Sequence, residues 1–177
     1  MMNIATKPNL HTSRVGLGGP HDSLVGLDAL CAHAIGDRPC RVLEIGSKDG
    51  VSTALFAWWA DTVVAVDPLV SGALQAVLRE WSNIQFVQDY SYRAVAALDG
   101  DFDLVYIDGE HDYASVARDI AVCLPKVKTG GWLCGHDYCP AHTGVMAAVD
   151  ELVGDPRYGP LHQYEDSSWA IQVLSAQ

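Results

Sequence analysis

Apolar and polar positions along the chain form two repeating patterns. Short, continuous apolar runs predict strands that are buried on both faces, and segments with apolar residues three or four positions apart predict helices with one face in a core. The two kinds of segment alternate along most of the sequence. The predicted strands cover residues 41–45, 62–67, 83–87, 102–108 and 132–138.

Two further segments close the chain. Residues 160–165 and 168–174 are separated only by Asp166 and Ser167, and so short a link predicts an antiparallel hairpin. The whole pattern therefore predicts an α/β fold with a doubly wound, mostly parallel sheet of seven strands and a C-terminal antiparallel hairpin. Residues 23–177 are expected to form this one domain. Residues 1–22 lack periodicity and predict an irregular N-terminal arm, which either closes a site as a lid or frays.

A glycine-containing turn follows the first strand and precedes a helix. Gly46 and Gly50 allow a sharp turn and let a ligand approach the main-chain N–H groups that the start of a helix leaves free. The turn therefore predicts a nucleotide-type binding loop. A dinucleotide fingerprint requires two other glycines, but Lys48 and Val51 occupy those positions, which argues against NAD or FAD.

An acidic residue ends the second strand. Asp67 lies about 20 residues beyond the glycine turn, where a carboxylate can accept hydrogen bonds from both ribose hydroxyls of an adenosine. A turn aspartate before Pro68 is the alternative interpretation. The position after a glycine turn favours the ribose contact.

Titratable side chains follow the fourth and fifth strands. Asp108, Glu110 and His111 come after one, and His136 and Asp137 come after the next. Because neighbouring parallel strands end at the same edge of a sheet, we expect these side chains to converge. So many carboxylates and imidazoles at one place favour a shared proton or a bound cation. The pattern predicts a catalytic or metal-binding site beside the nucleotide loop.

Three motifs resemble one enzyme family. The sequence E-I-G-S-K-D-G-V-S-T at 44–53 resembles the first motif of the class I S-adenosylmethionine-dependent methyltransferases. The sequences I-D-G-E-H-D-Y at 107–113 and G-G-W-L-C-G-H-D-Y at 130–138 resemble a subgroup of small-molecule O-methyltransferases, the methyltransferase family 24 type, that modifies antibiotics and sugars. The order of predicted elements is similar to that of the family from about residue 24 onwards.

The resemblance implies that S-adenosylmethionine is the cofactor and that its methyl group passes to a small-molecule acceptor, at a hydroxyl. A non-catalytic domain that binds this cofactor or a nucleoside is the alternative. Asp89 and Tyr90 would meet the adenine, although Asp89 or Ser91 could instead only cap the helix that follows. The implied cofactor-binding residues are Glu44, Gly46, Ser47, Gly50, Ser52, Asp67, Asp89, Tyr90 and Asp108.

The resemblance also implies how the acceptor hydroxyl is activated. Glu110 or His111 is the predicted base, with a locally hydrogen-bonded His111 as the alternative. Metal-binding relatives hold a divalent ion at positions that fall on Asp108, His136 and Asp137. Because Mg²⁺ prefers oxygen ligands, the histidine suits Mn²⁺, Fe²⁺ or Zn²⁺ better, and assistance by Mg²⁺ or Mn²⁺ stays an open alternative.

Composition narrows the expected partners. A net charge of −11 offers no basic face for phosphates, and the Asn/Asp-Pro-Pro-aromatic signature of adenine N-methyltransferases is absent, so no nucleic-acid partner is expected. No apolar run approaches the length of a membrane span, and residues 1–20 lack the pattern of a secretion signal, which predicts a cytoplasmic protein without a membrane partner. A homodimer stays open.

The cysteines predict reduced thiols. Their number is odd and none forms a C-x-x-C pair. A zinc site on Cys134, His136 and Cys139 is conceivable, but buried thiols are the favoured interpretation. The five are Cys31, Cys40, Cys123, Cys134 and Cys139.

Overall fold

A computed structural model describes residues 6–11 and 23–175 of the chain. Its centre is a seven-stranded sheet. The strands are β1 (Arg41–Ile45), β2 (Thr62–Val66), β3 (Ile84–Val87), β4 (Phe102–Ile107), β5 (Val127–Gly135), β6 (His162–Gln163) and β7 (Trp169–Gln172). Their order across the sheet is β3-β2-β1-β4-β5-β7-β6. Strands β1 to β5 are parallel, β7 is antiparallel to β5, and β6 is antiparallel to β7, which confirms the predicted fold class.

Helices precede and connect the strands. The hydroxyl of Ser71 and the carboxylate of Asp112 each accept a hydrogen bond from a backbone N–H in the first turn of the helix that follows, which satisfies a donor that would otherwise lack a partner. The helices in the described residues are α1 (Val25–Ala34), α2 (Val51–Trp59), α3 (Gly72–Glu80), α4 (Ser91–Ala97), α5 (Tyr113–Cys123) and α6 (Thr143–Asp150).

Two apolar layers cover the two faces of the sheet. Side chains of α4, α5 and α6 pack in one layer, and side chains of α1 and α2 pack in the other. Alternate strand residues serve the two layers: Val42 of β1 belongs to one, and Leu43 and Ile45 belong to the other. Burial on both faces explains why these strands read as continuous apolar runs.

Strand β5 is longer than the sequence pattern predicts. It begins at Val127 rather than at Trp132, and it passes through Gly130 and Gly131. The register with β4 shifts between Phe102 and Leu104, so the strand is irregular there. The first part of β5 is mostly exposed, and its polar residues conceal the strand from a hydrophobicity pattern.

The C-terminal hairpin is confirmed, but its link is longer than two residues. Residues 164–168 lie between β6 and β7. Asp166 is fully buried there, and its carboxylate accepts hydrogen bonds from the backbone N–H of Leu27 in α1 and of Ser168. The link therefore folds inwards to hold the start of α1, which a turn pattern alone does not indicate.

Residues 6–11 form neither a helix nor a strand and lie against α1. The Lys7 ammonium is 2.6 Å from the Asp28 carboxylate, and the Leu10 carbonyl accepts a hydrogen bond from the Leu24 N–H. The rest of the predicted arm, residues 1–5 and 12–22, lies outside the described residues. None of the helices in residues 6–11 and 23–175 has both the length and the apolar character needed to cross a membrane.

Candidate active site

The glycine turn between β1 and α2 lies against the end of β4. Gly46 has a φ of +89°, and a Cβ atom there would overlap the main-chain carbonyl of Asp108. Gly50, with a φ of +79°, immediately precedes α2. Both positions require the left-handed region that favours glycine. The glycine turn is therefore in direct contact with Asp108, at the end of β4.

Glu44 ties the turn to the first helical turn of α2. Its side chain is fully buried, and its carboxylate accepts hydrogen bonds from the hydroxyls of Ser52 (2.5 Å) and Thr53. Burial raises the pKa of Glu44 to about 7, although these hydrogen bonds act to lower it. In this arrangement Glu44 and Ser52 shape the turn rather than present polar atoms to solvent.

Asp67 is also held by the turn. Its two carboxylate oxygens accept hydrogen bonds from the backbone N–H groups of Lys48 and Leu69, each at 2.8 Å. The buried Ser47 accepts a hydrogen bond at its carbonyl from the Gly50 N–H. Each carboxylate oxygen has a second lone pair, so Asp67 is oriented by the backbone and can still accept from a ligand.

Asp89 and Tyr90 lie after β3, as expected. The Asp89 carboxylate accepts from the Tyr90 N–H and is 2.7 Å from the Arg93 guanidinium, whose hydrogen bond lowers the pKa of Asp89. Ser91 donates to Asp119 in α5, so neither Asp89 nor Ser91 provides the predicted side-chain cap of α4. The Tyr90 ring is exposed and stacks on Tyr92, with ring centroids 5.8 Å apart.

The ends of β4 and β5 bring Asp108, His136 and Asp137 together. His136 Nδ1 is 3.9 Å from Asp108 Oδ1 and 3.3 Å from Asp137 Oδ1. One ligand atom from each of the three side chains lies within 4.8 Å of the others, so the group has the dimensions of a metal site. Asp137 has a φ of +62°, a strained conformation for a residue with a side chain.

His111 joins this group from the segment after β4. Its Nε2 is 2.9 Å from Asp137 Oδ2, and this hydrogen bond raises the pKa of His111. Burial alone would raise the pKa of Asp137, but hydrogen bonds from His111 and His136 outweigh it and hold that pKa below its usual range. Glu110 is exposed and, with Asp108, His111 and His136, lines one small cavity.

His142 completes the cluster and was missed in the sequence. It immediately precedes α6, its Nε2 is 3.6 Å from Asp137 Oδ1, and its ring centroid is 4.3 Å from that of His111. The available signal was weak: a histidine five residues after the H-D pair and directly before a helix.

The cysteines take no part in this cluster. The two groups of potential metal ligands found among residues 6–11 and 23–175 contain only histidine and aspartate. Cys134 is fully buried in the layer that contains α1 and α2, and burial raises its pKa well above the usual range. The conceivable zinc site on Cys134, His136 and Cys139 is therefore wrong, because the Cys134 thiol lies in that apolar layer.

Comparisons with known proteins agree with this architecture. An rRNA methylase from Streptococcus thermophilus has a TM-score of 0.67 and 17% identity, over 91% of this chain and 99% of that chain. An O-methyltransferase from Bacillus cereus, solved in complex with SAH, has a TM-score of 0.66 and 14% identity, over 88% and 83% of the two chains. At such identities the likeness shows the fold alone.

Sequence comparison identifies the family. An uncharacterised protein of Acanthamoeba polyphaga mimivirus is 27% identical over 140 residues, in a match that covers 70% of this chain and 63% of that protein. This chain thus spans less than two thirds of that relative. The profile of a family described as "Methyltransferase domain" matches residues 43–138, from β1 through the end of β5. That match covers more than half of the sequence and confirms the expectation from the motifs: the chain belongs to this family of methyltransferases, on the class I fold.

Proposed function

We propose that this protein transfers the methyl group of S-adenosylmethionine to a hydroxyl of a small-molecule acceptor. The observation that carries the proposal is the contact between the glycine turn and the Asp108 carbonyl. It sets a nucleotide-type loop directly beside a cluster of carboxylates and imidazoles, at the place where the strand order reverses between β1 and β4. Open α/β sheets bind their ligands at such a point.

The residues around the turn fit the cofactor. The missing Cβ atom at Gly46 lets the turn pack against the Asp108 carbonyl, and Asp67 is oriented to accept from ribose hydroxyls. When bound, S-adenosylmethionine supplies an electrophilic methyl group on a sulfonium. Glu44 keeps the turn in shape, and Tyr90 offers an exposed ring face near the predicted adenine position. The structure of the B. cereus O-methyltransferase with SAH supports this choice of cofactor.

His111 is the proposed base for the acceptor hydroxyl. An alcohol is a weak nucleophile until it loses its proton, and a positioned imidazole contributes about 10²–10⁴-fold by accepting that proton. Asp137 orients the His111 ring and stabilises the imidazolium that forms. Glu110 lines the same small cavity and is the alternative base.

A divalent ion on Asp108, His136 and Asp137 is a second way to activate the hydroxyl. The three ligand atoms are close enough to share an ion, and two carboxylates with one imidazole suit Mn²⁺, Fe²⁺ or Zn²⁺ better than Mg²⁺. An ion there would lower the pKa of a bound hydroxyl. The proposed function holds with either form of activation.

The acceptor is proposed to be a small molecule because of charge. The net charge of −11 opposes a phosphate backbone, whereas it does not hinder a neutral hydroxyl compound. Because an rRNA methylase has a similar fold, the experiment must also test RNA as a methyl acceptor.

The test measures cofactor binding and methyl transfer separately. Calorimetry gives the affinity for S-adenosylmethionine, and release of SAH is followed with a low-molecular-weight metabolite fraction or with ribosomal RNA. We expect His111→Ala to bind the cofactor like the wild type and to transfer methyl groups at least about 10²-fold more slowly. His11→Ala, at an exposed histidine outside the cluster, is the matched control. Absence of cofactor binding, or transfer to RNA alone, would refute the proposal.

A further inference from the structure

His111, Asp137 and His142 form a second group of metal-binding side chains, distinct from Asp108, His136 and Asp137. They come from three places in the chain: the segment after β4, the end of β5 and the residue before α6. The His111 and His142 Nε2 atoms lie 2.9 and 3.6 Å from opposite oxygens of the Asp137 carboxylate. One ligand atom from each residue lies within 4.8 Å of the others.

We propose that these three residues bind one divalent transition-metal ion. The ligands would be Nε2 of each histidine and the carboxylate of Asp137. Two imidazoles and one carboxylate favour Zn²⁺, Co²⁺ or Fe²⁺ over Mg²⁺ and Ca²⁺, which prefer oxygen ligands. This inference goes beyond the proposed function, because the ion site exists whether or not the protein transfers methyl groups. With the ion bound, His111 is a ligand, and the role of base passes to Glu110, the alternative base in the same small cavity.

The distances are close to those of a bound ion. Ligands about 2.1 Å from a tetrahedral ion lie about 3.4 Å from one another, between the two separations measured here. Two imidazoles on such an ion have ring centroids about 5 Å apart, and the His111 and His142 centroids are 4.3 Å apart. Small side-chain rotations are enough to bring the three ligand atoms around one ion.

The backbone holds the two histidines at this separation. A Cβ atom at Gly144, two residues after His142, would lie only 2.5 Å from the His111 carbonyl oxygen. The first turn of α6 therefore packs directly on the segment that carries His111, and only glycine permits this approach. The strained φ of Asp137, +62°, is a further sign of a position fixed by its surroundings.

The site resembles a catalytic rather than a structural metal centre. Three protein ligands leave a fourth position open in a tetrahedral geometry. The side chains of His111 and His142 are 42% and 33% exposed, so water or another ligand can reach that position. The ion would replace the proton that His111 and Asp137 now share.

Asp137 belongs to both groups of ligands, and the variants must separate them. His142 belongs only to the site proposed here, and Asp108 belongs only to the neighbouring group. The full chain, without an affinity tag and treated with a chelator, is titrated with Zn²⁺ by calorimetry and with Co²⁺ by visible absorption. The variants are His142→Ala, Asp108→Asn and, as the matched control, His11→Ala.

We expect one Zn²⁺ per chain in the wild type, in Asp108→Asn and in His11→Ala. His142→Ala should bind Zn²⁺ at least about 10–100-fold more weakly. Mutation of a residue that only orients a metal ligand already causes a loss of this size. His142→Cys keeps a zinc-binding side chain and should recover part of the affinity, which separates loss of a ligand from loss of folding.

Two results would overturn the proposal: no Zn²⁺ binding by the wild type, or wild-type affinity in His142→Ala. If His142→Ala keeps its affinity and Asp108→Asn loses it, the ion lies on Asp108, His136 and Asp137 instead. Failure to bind S-adenosylmethionine would contradict the proposed function and leave this inference intact, so the two failures are distinguishable.

Discussion

Replacement of Gly46 by alanine tests whether the glycine turn must touch β4. The new methyl group would overlap the carbonyl of Asp108 and lie 2.9 Å from the N–H nitrogen of Gly109. Both neighbours are backbone, so neither can rotate away. The ends of β1 and β4 would have to separate, and the turn would move with them.

The magnitude follows from two separate costs. Alanine at a φ of +89° pays for a left-handed conformation, roughly 1–2 kcal/mol. Forcing an extra methyl group into packed structure costs about 1–3 kcal/mol more. Gly46→Ala should therefore lower the free energy of unfolding by about 2–5 kcal/mol.

Gly36→Ala is the matched control for strain without a clash. Gly36 also has a positive φ, +57°, but the nearest atom to its added Cβ would be the Ala32 carbonyl oxygen at 3.8 Å. Gly36→Ala should therefore lower the free energy of unfolding by only about 1–2 kcal/mol, the cost of the backbone strain alone. Urea unfolding of the wild type and the two variants measures both losses of stability. Calorimetry with S-adenosylmethionine should show binding lost in Gly46→Ala and kept in Gly36→Ala.

Equal losses of stability in the two variants would refute the reasoning, because the contact with β4 would then cost nothing. Unchanged cofactor binding by a folded Gly46→Ala protein would separately refute the assignment of the turn to the cofactor.

Three further predictions concern single side chains. Asp67→Asn should weaken S-adenosylmethionine binding in calorimetry by at least about 10-fold, since hydrogen bonds to a charged group contribute about 1.5–3 kcal/mol. The control is Asp61→Asn. Asp61 accepts a hydrogen bond from the Cys40 N–H at the other end of the sheet, so this variant should bind the cofactor normally. Glu44 has a folded-state pKa of about 7, above its ordinary value, so the folded protein binds a proton that the unfolded chain has lost. The free energy of unfolding should therefore fall by about 3 kcal/mol as the pH rises from about 4.5 to 7. Glu44→Gln cannot titrate, and parallel unfolding curves against pH for variant and wild type would contradict this. Cys139 is the one cysteine that is not buried, so a thiol reagent should label a single thiol in the native protein and none in Cys139→Ser. Rapid labelling of a second thiol would contradict the burial of the other four cysteines.

The sequence predicted the elements whose pattern is local. A continuous apolar run such as Val63 to Val66 must be buried on both faces, and the glycine turn must separate β1 from α2. Strands, helices and fold class therefore follow from neighbours along the chain. The same logic predicted that Asp108, His136 and Asp137 would converge, because the ends of adjacent parallel strands meet.

Elements with a polar or irregular pattern were harder to predict. The exposed first part of β5 carries Lys128 and Thr129, and no hydrophobic period marks it as a strand. The link around Asp166 looked like a two-residue turn, yet its carboxylate is buried against α1. Both depend on what packs nearby in space.

The sequence by itself determined the sheet, the glycine turn and the set of strand ends that carry chemistry, because burial and backbone freedom act through residue type and spacing. Only the tertiary structure decided that His142 reaches Asp137, that Asp89 pairs with Arg93, and that Glu44 is sealed beneath the turn. These contacts depend on the separation and direction of elements that are distant in sequence. That geometry is fixed by packing, as where Gly144 lets α6 approach His111, and not by any local pattern.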